Sequence, residues 1–172
     1  MADRCVWAGR FIEVHVDGRW EYVARARSIG AAVILAVDAG HVLLVEQYRV
    51  PLGRNCLELP AGLIGDWDEA DDVLQSAARE LEEETGFRAA EITVIGEFCS
   101  SPGLTSESFH LVRATGLKRI GEGGGVDGEN ILVHRVALDA VPDFVAAKRA
   151  EGCAIDAKIM VFLPLLGEST SR

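Results

Sequence analysis

Apolar and polar residues alternate over Phe11 to Val16 and again over Arg19 to Ala26, on either side of Asp17-Gly18. That pattern predicts an antiparallel hairpin near the N-terminus. Ala31 to Val37 and His41 to Tyr48 flank Ala39-Gly40 and are rich in Val, Ile and Leu, so they read as a second strand pair, buried on both faces, in a central sheet. Leu57 to Leu59 predicts a short strand feeding a loop at Pro60, Ala61 and Gly62. A helix follows, with Leu74, Ala77, Ala78 and Leu81 as its apolar stripe, Asp68 as its cap with Asp71 three residues on, and Gly86 as the left-handed residue at its end. Further strands are expected at Ile92 to Phe98, Ser108 to Ala114 and Ile131 to Ala137. Pro142 and Gly152 bracket a second helix, and a last one begins near Ile155 and is perturbed at Pro164. Gly121 to Gly128 is a glycine-rich loop, and Gly167 to Arg172 should be frayed. Strands interleaved with few helices, several joined by hairpins, indicate an α/β (α+β) fold with a mixed sheet between helical layers rather than a doubly wound parallel sheet.

Bulk properties narrow the function. A length of 172 residues suits one domain with a substantial core. The formal net charge of −10 argues against a nucleic-acid partner, whose binding needs clustered Lys and Arg. Cys5, Cys56, Cys99 and Cys153 are scattered without the paired spacing of a zinc or redox site, and read as reduced cytoplasmic thiols. The N-terminus lacks the apolar core of a signal peptide and no apolar run reaches the roughly 20 residues that span a bilayer, so a soluble cytoplasmic protein without a membrane partner is expected.

The chemistry concentrates in Arg79 to Gly86, RELEEETG. Like charges three and four apart on a helix each cost roughly 0.2–0.5 kcal/mol, so Glu80, Glu83 and Glu84 repel one another on one face while Glu82 points away. A solvated acidic face would account for such a run. A glycine loop leading into a capped helix with hard oxygen ligands along its polar edge points instead to a cation such as Mg²⁺.

These residues resemble the Nudix hydrolases. Arg79, Glu80, Leu81, Glu83, Glu84, Gly86 and Phe87 match the end of that family's signature in full. The front half departs from it. Counting back from Arg79, the family's Gly and Glu positions fall on Gly65 and Asp71, whereas Pro60-Ala61-Gly62 marks Gly62 as the loop glycine, with three extra residues after it around Gly65, Asp66 and Trp67. The resemblance implies a Nudix-type α/β/α sandwich, with residues 1–28 as an N-terminal hairpin for dimerisation and adenine stacking and 29–172 as the hydrolase domain.

Gln47-Tyr48-Arg49 with Pro51, Glu58-Leu59-Pro60-Ala61-Gly62, and the loop from Ser101 through Pro102, Gly103 and Leu104 to Glu107 are similar to the ADP-ribose pyrophosphatase branch. On that resemblance Mg²⁺, or Mn²⁺ in its place, is held by Glu80, Glu84, Glu83 and the Ala61 carbonyl. Glu129, with Asp127 as second candidate, activates water or binds a further metal, and Arg79 steadies a neighbouring glutamate. Arg49 and Arg27 are candidates for a phosphate or the terminal ribose, and Pro102, Gly103 and Glu107 for the substrate loop. Phe11 and Trp20 resemble the pair that sandwiches adenine, although cross-strand packing would explain them as well. His134 is expected to pack beside the sheet. A hairpin is marginal alone, so its docking onto a second subunit, and hence a homodimer, is expected. The implied reaction is hydrolysis of ADP-ribose to AMP and ribose 5-phosphate. Alternatives are another nucleoside diphosphate sugar such as GDP-mannose, a dinucleotide, a non-catalytic ADP-ribose sensor, or, more weakly, a calcium-binding interaction domain.

Overall fold

Two long strands that begin as a hairpin and then part company organise the fold. The computed structural model describes residues 3–26, 30–64, 72–126 and 128–166. The strands run β1 Arg4–Ala8, β2 Ile12–Asp17, β3 Trp20–Arg25, β4 Gly30–Asp38, β5 His41–Arg49, β6 Arg54–Glu58, β7 Ala61–Ile64, β8 Phe87–Arg88, β9 Glu91–Cys99, β10 Ser108–Thr115, β11 Lys118–Arg119, β12 Leu132–Ala137 and β13 Ala154–Ile155. The helices are α1 Val73–Thr85, α2 Val141–Ala150 and α3 Ala157–Phe162.

β4 and β5 pair only beside their turn, Val37 with Val42 and Asp38 with His41. Beyond that point β4 takes β7 antiparallel and β10 parallel, while β5 takes β6 and β12 antiparallel. Parting the two strands opens the eight-stranded mixed sheet, with β13-β6-β5-β4-β10-β9 in order, β12 added on β5 and β7 on β4, and lets Pro60 and Ala61 run alongside β4, where Ile34 N–H donates to the Pro60 carbonyl at 2.8 Å. Both strands are buried on both faces, as their unbroken apolar runs predict.

Alternate β4 residues feed two cores. Val33 and Leu35 pack with Leu44, Leu57, Leu111, Val145, Ile159 and Phe162 beneath α2 and α3. Ala32, Ile34 and Ala36 pack with Ala77, Leu81, Val112 and Ala114 beneath α1, where small residues let the helix lie close to the sheet. The result is the α/β/α sandwich expected. Among the described residues, no helix is long and apolar enough to cross a membrane.

Several local expectations are corrected. Helix α1 is capped by Asp72, whose side chain accepts from the N–H groups of Leu74 and Gln75 at 2.9 Å each, with Gln75 returning the bond to the Asp72 N–H. Asp68 and Asp71, expected in that role, lie outside the described residues, as do Gly65, Asp66, Trp67 and the segment 167–172. Leu74 is 40% exposed, so the buried side of α1 is formed by Ser76, Ala77, Leu81, Glu84 and Thr85. The hairpin β2–β3 forms at Asp17-Gly18 and gains an edge strand, β1, making a three-stranded N-terminal sheet. Ile155 lies in β13, and the last helix starts two residues later behind an Asp156 cap.

Candidate active site

The acidic face of α1 is built by the helix repeat and held from below by β7. Glu84 is 6% exposed and accepts a hydrogen bond from the Ala61 N–H at 3.1 Å. Burial pushes its carboxyl up to about 8; the Ala61 N–H opposes this, the charges of Glu80 and Glu129 add to it, and Arg49 partly offsets it. Glu80 is also raised, first by burial, with Arg79 opposing and Glu83 and Glu129 reinforcing. Arg79 Nη2 lies 3.4 Å from Glu80 Oε1, so this arginine does lie against the neighbouring glutamate. The Glu80 side chain lies directly over Gly62, where any Cβ would overlap it. That contact explains glycine at position 62, whose backbone is not in the left-handed region.

Glu82 faces the other way. Its carboxylate takes both Nε and Nη2 of Arg88, at 2.6 and 3.0 Å. The Arg88 side chain is 62% exposed, and an exposed pair contributes little. Arg88→Ala is therefore expected to leave both stability and catalysis close to wild type, checked by denaturant melts and steady-state rates.

The glycine-rich stretch supplies what the end of α1 lacks. The last carbonyls of a helix have no partner within it. Gly124 N–H donates to the Glu84 carbonyl at 2.8 Å and Gly125 N–H to the Glu83 carbonyl at 3.0 Å, while Ile120 and Gly121 donate to Gly86. Gly86 itself is left-handed at φ 72, as predicted. Gly123 has φ 70 and sits so close to the backbone of Glu84 and Thr85 that a side chain would overlap it. The loop thus crosses the helix end and delivers Glu129 to the acidic face. Glu129 Oε2 accepts from the Val126 N–H at 3.1 Å and lines a cavity of about 540 Å³ with Glu46, Tyr48, Asn55 and Leu132. Asp127, the second candidate, lies outside the described residues.

The α1 carboxylates share a face without closing on one point. Among the described residues, the three donor groups whose ligand atoms all fall within 4.8 Å of one another are Cys5, Glu13 and His15. Glu80, Glu83 and Glu84 stand wider apart, as like charges do. Their chemistry still fits a hard divalent cation: oxygen donors alone, one buried, with the Glu80 and Glu84 carboxyls raised by burial and by neighbouring negative charge that a cation would relieve.

The remaining candidates are dispersed. Arg49 already gives Nε and Nη2 to Glu58, both at 2.7 Å, so the fork proposed for a phosphate is engaged by this carboxylate. With Glu58, Arg54 and Arg149 it lines a cavity of about 890 Å³. Arg27 lies outside the described residues. His134 Nε2 donates to Glu46 Oε2 at 3.0 Å and its ring lies against Phe144, beside the sheet as expected. Lys148 and Asn55 complete the ring of partners about Glu46, at 3.0 and 2.9 Å.

The loop after β9 joins the N-terminal sheet. Val23 N–H donates to the Leu104 carbonyl at 2.9 Å and Ser106 N–H to the Val23 carbonyl at 3.0 Å. Glu107 is bound by Arg25, Nε to Oε1 at 2.5 Å, and by the Ser100 hydroxyl at 3.2 Å. That carboxylate is a latch between loop and sheet. Trp20, Tyr22, Pro102, Gly103, Thr105 and Ser106 surround a cavity of about 270 Å³. Phe11 is not part of it. Trp20 pairs with Asp17 at one end of the hairpin and Phe11 precedes β2 at the other, a separation of about 20 Å at the rise of a strand. Within one chain the two rings cannot sandwich one base. Nor do they pack across the hairpin, being 62% and 56% exposed.

A family model described as NUDIX domain matches residues 26–151, including α1 and the loop that carries Glu129. The chain belongs to the Nudix family. It is 33% identical over 147 residues to an ADP-ribose pyrophosphatase of Bacillus subtilis (strain 168), covering 81% of this chain and 78% of the relative. It is 30% identical over 152 residues to a methanol dehydrogenase activator of Bacillus methanolicus, covering 84% and 80%. Among solved structures it resembles an ADP compounds hydrolase with a TM-score of 0.68 and 23% identity, over 85% of this chain and 81% of that one, a likeness of fold. The Nudix match begins at residue 26, just past the end of β3, and Arg25 of the N-terminal sheet binds Glu107 within the matched residues. The latch spans 82 positions, and nothing local in the sequence signals it.

Proposed function

We propose that this Nudix protein hydrolyses the diphosphate of ADP-ribose to AMP and ribose 5-phosphate, with Mg²⁺, as a cytoplasmic homodimer. The observation that carries the reading is the buried Glu84 carboxyl, sharing one face of α1 with Glu80 and Glu83 and repelled in addition by Glu129 of the loop before β12. The similarity to a protein named ADP-ribose pyrophosphatase supports the substrate.

In this reading Glu80, Glu83, Glu84 and the Ala61 carbonyl hold the cation. Bound there, Mg²⁺, or Mn²⁺ in its place, supplies charge neutralisation at the diphosphate and eases deprotonation of water. Glu129 orients the attacking water and takes its proton. Arg79 keeps Glu80 in position, and Glu58 does the same for Arg49, whose remaining nitrogen is available to a phosphate. Trp20 stacks on the adenine in the cavity it shares with Pro102 and Gly103. A Phe11 closing on the same base has to come from a second copy, and the exposed Val6, Trp7, Phe11 and Ile12 offer that copy an apolar surface. Light scattering that finds only monomer contradicts this part.

Trp20→Ala is expected to raise KM for ADP-ribose about tenfold with kcat little changed, because base stacking contributes roughly 1–3 kcal/mol. An unchanged KM assigns Trp20 to packing. The test of the whole reading is a panel of ADP-ribose, GDP-mannose, NADH and diadenosine substrates with Mg²⁺, products separated by chromatography. AMP and ribose 5-phosphate from ADP-ribose at the highest kcat/KM are expected. Preference for another substrate overturns the assignment, and no product from any of them favours a sensor.

A further inference from the structure

The N-terminal sheet carries a second convergence of ligand groups, outside the residues that match the family. Cys5 on β1 stands directly opposite His15 on β2, and Glu13 lies two residues along β2 on the same face. One ligand atom from each of the three lies within 4.8 Å of the others. His15 is held at both nitrogens, Nε2 by Glu13 Oε2 at 3.1 Å and Nδ1 by the Asp3 carboxylate at 3.1 Å. The Tyr22 ring stacks on His15 at 5.4 Å, and its hydroxyl donates to Asp3 at 3.0 Å. A bulge follows Cys5, so that Trp7 falls opposite Val14 rather than on the face of His15.

We propose that Cys5, Glu13 and His15 form a cation site for Zn²⁺, with Asp3 orienting the imidazole, which clamps β1 onto the hairpin. The donors are one sulfur, one nitrogen and one oxygen. That set suits a borderline-soft cation with three protein ligands and one solvent position, and does not suit Mg²⁺, which takes oxygen alone. A carboxylate on the second nitrogen is the usual support of a ligating histidine: it holds the Nδ1 proton and leaves Nε2 to the metal. The clamp has a structural purpose. Among the described residues β1 is the edge of its sheet and pairs with β2 alone, so a cation bridging Cys5 to β2 fixes the strand beyond what those backbone bonds provide.

Cysteine spacing along the chain is unpaired, and the site arises only because strand register sets Cys5 against His15. Co²⁺ is the probe that separates this site from the acidic face of α1, since only a thiolate ligand produces a sulfur-to-cobalt charge-transfer band. Titration of the metal-free full chain with Co²⁺ is expected to produce that band, and Zn²⁺ to abolish it. Cys5→Ser should remove the band with an unchanged circular dichroism spectrum. His15→Ala and Asp3→Asn should weaken Co²⁺ binding at least tenfold, and Glu84→Gln should leave the band intact. Absence of the band in the wild-type chain, or its persistence in Cys5→Ser, overturns the proposal.

Discussion

Glu84→Gln is expected to lower kcat by about 10²-fold or more, about 3 kcal/mol of transition-state stabilisation, while making the metal-free protein more stable. The two effects have one cause. Glu84 is buried against β7 and its carboxyl is raised from 4.5 to about 8. A carboxyl whose folded pKa exceeds its unfolded one favours folding most below about pH 4.5, and that contribution is lost as pH rises to about 8. At pH 8 in EDTA the loss is of order 4 kcal/mol, because each tenfold gain in proton affinity on folding corresponds to about 1.4 kcal/mol. Glutamine occupies the same space, can still accept from the Ala61 N–H, and carries no charge to bury. Its melting temperature in EDTA at pH 8 should exceed that of wild type by on the order of 5–10 °C, measured by calorimetry, with the difference vanishing near pH 4. A variant that is inactive and also less stable at pH 8 would show that Glu84 does not carry buried charge.

Gly62→Ala should be nearly as damaging to turnover, for a steric reason. Its backbone is of an ordinary kind, so alanine strains nothing there, but the added Cβ would overlap the carboxyl end of Glu80. Either Glu80 leaves its rotamer or β7 moves away from α1. Both displace a proposed ligand. We expect kcat to fall about 10–10²-fold, with a stability loss of about 1–3 kcal/mol, the usual cost of overpacking. Gly96→Ala is the control, since its nearest neighbour would be Phe98 Cε2 at an ordinary 3.6 Å, and it should behave as wild type. Equal activity in both variants would mean that the position of Glu80 is immaterial.

Local periodicity carried much of this structure in advance. The hairpin at Asp17-Gly18, the doubly buried β4 and β5, the outward turn of Glu82 and the left-handed Gly86 all follow from spacing within a few residues. What was illegible depends on distant register. β1 shows no period because all five of its residues are exposed. β7 reads as loop, since Ala61 and Gly62 are poor strand formers, and becomes a strand because β4 has parted from β5 and needs a neighbour. The run of acids before α1 offers several caps, and Asp72 is the one whose side chain takes the first N–H groups of the helix. Gly121 to Gly125 read as loop by composition, whereas their N–H groups close the end of α1 across some forty residues. The engagement of Arg49 by Glu58, and of Glu107 by Arg25, also lay beyond local reading, so two residues proposed for substrate prove to be held first by partners in the chain.

If α1 gathers a divalent cation for a diphosphate, crystals grown with Mn²⁺ and a non-hydrolysable ADP-ribose analogue will reveal it through the anomalous signal of manganese. We expect a peak bonded to Glu80 and Glu84 oxygens and to the diphosphate. A peak bonded elsewhere, or an analogue bound away from α1, would deny this helix that role.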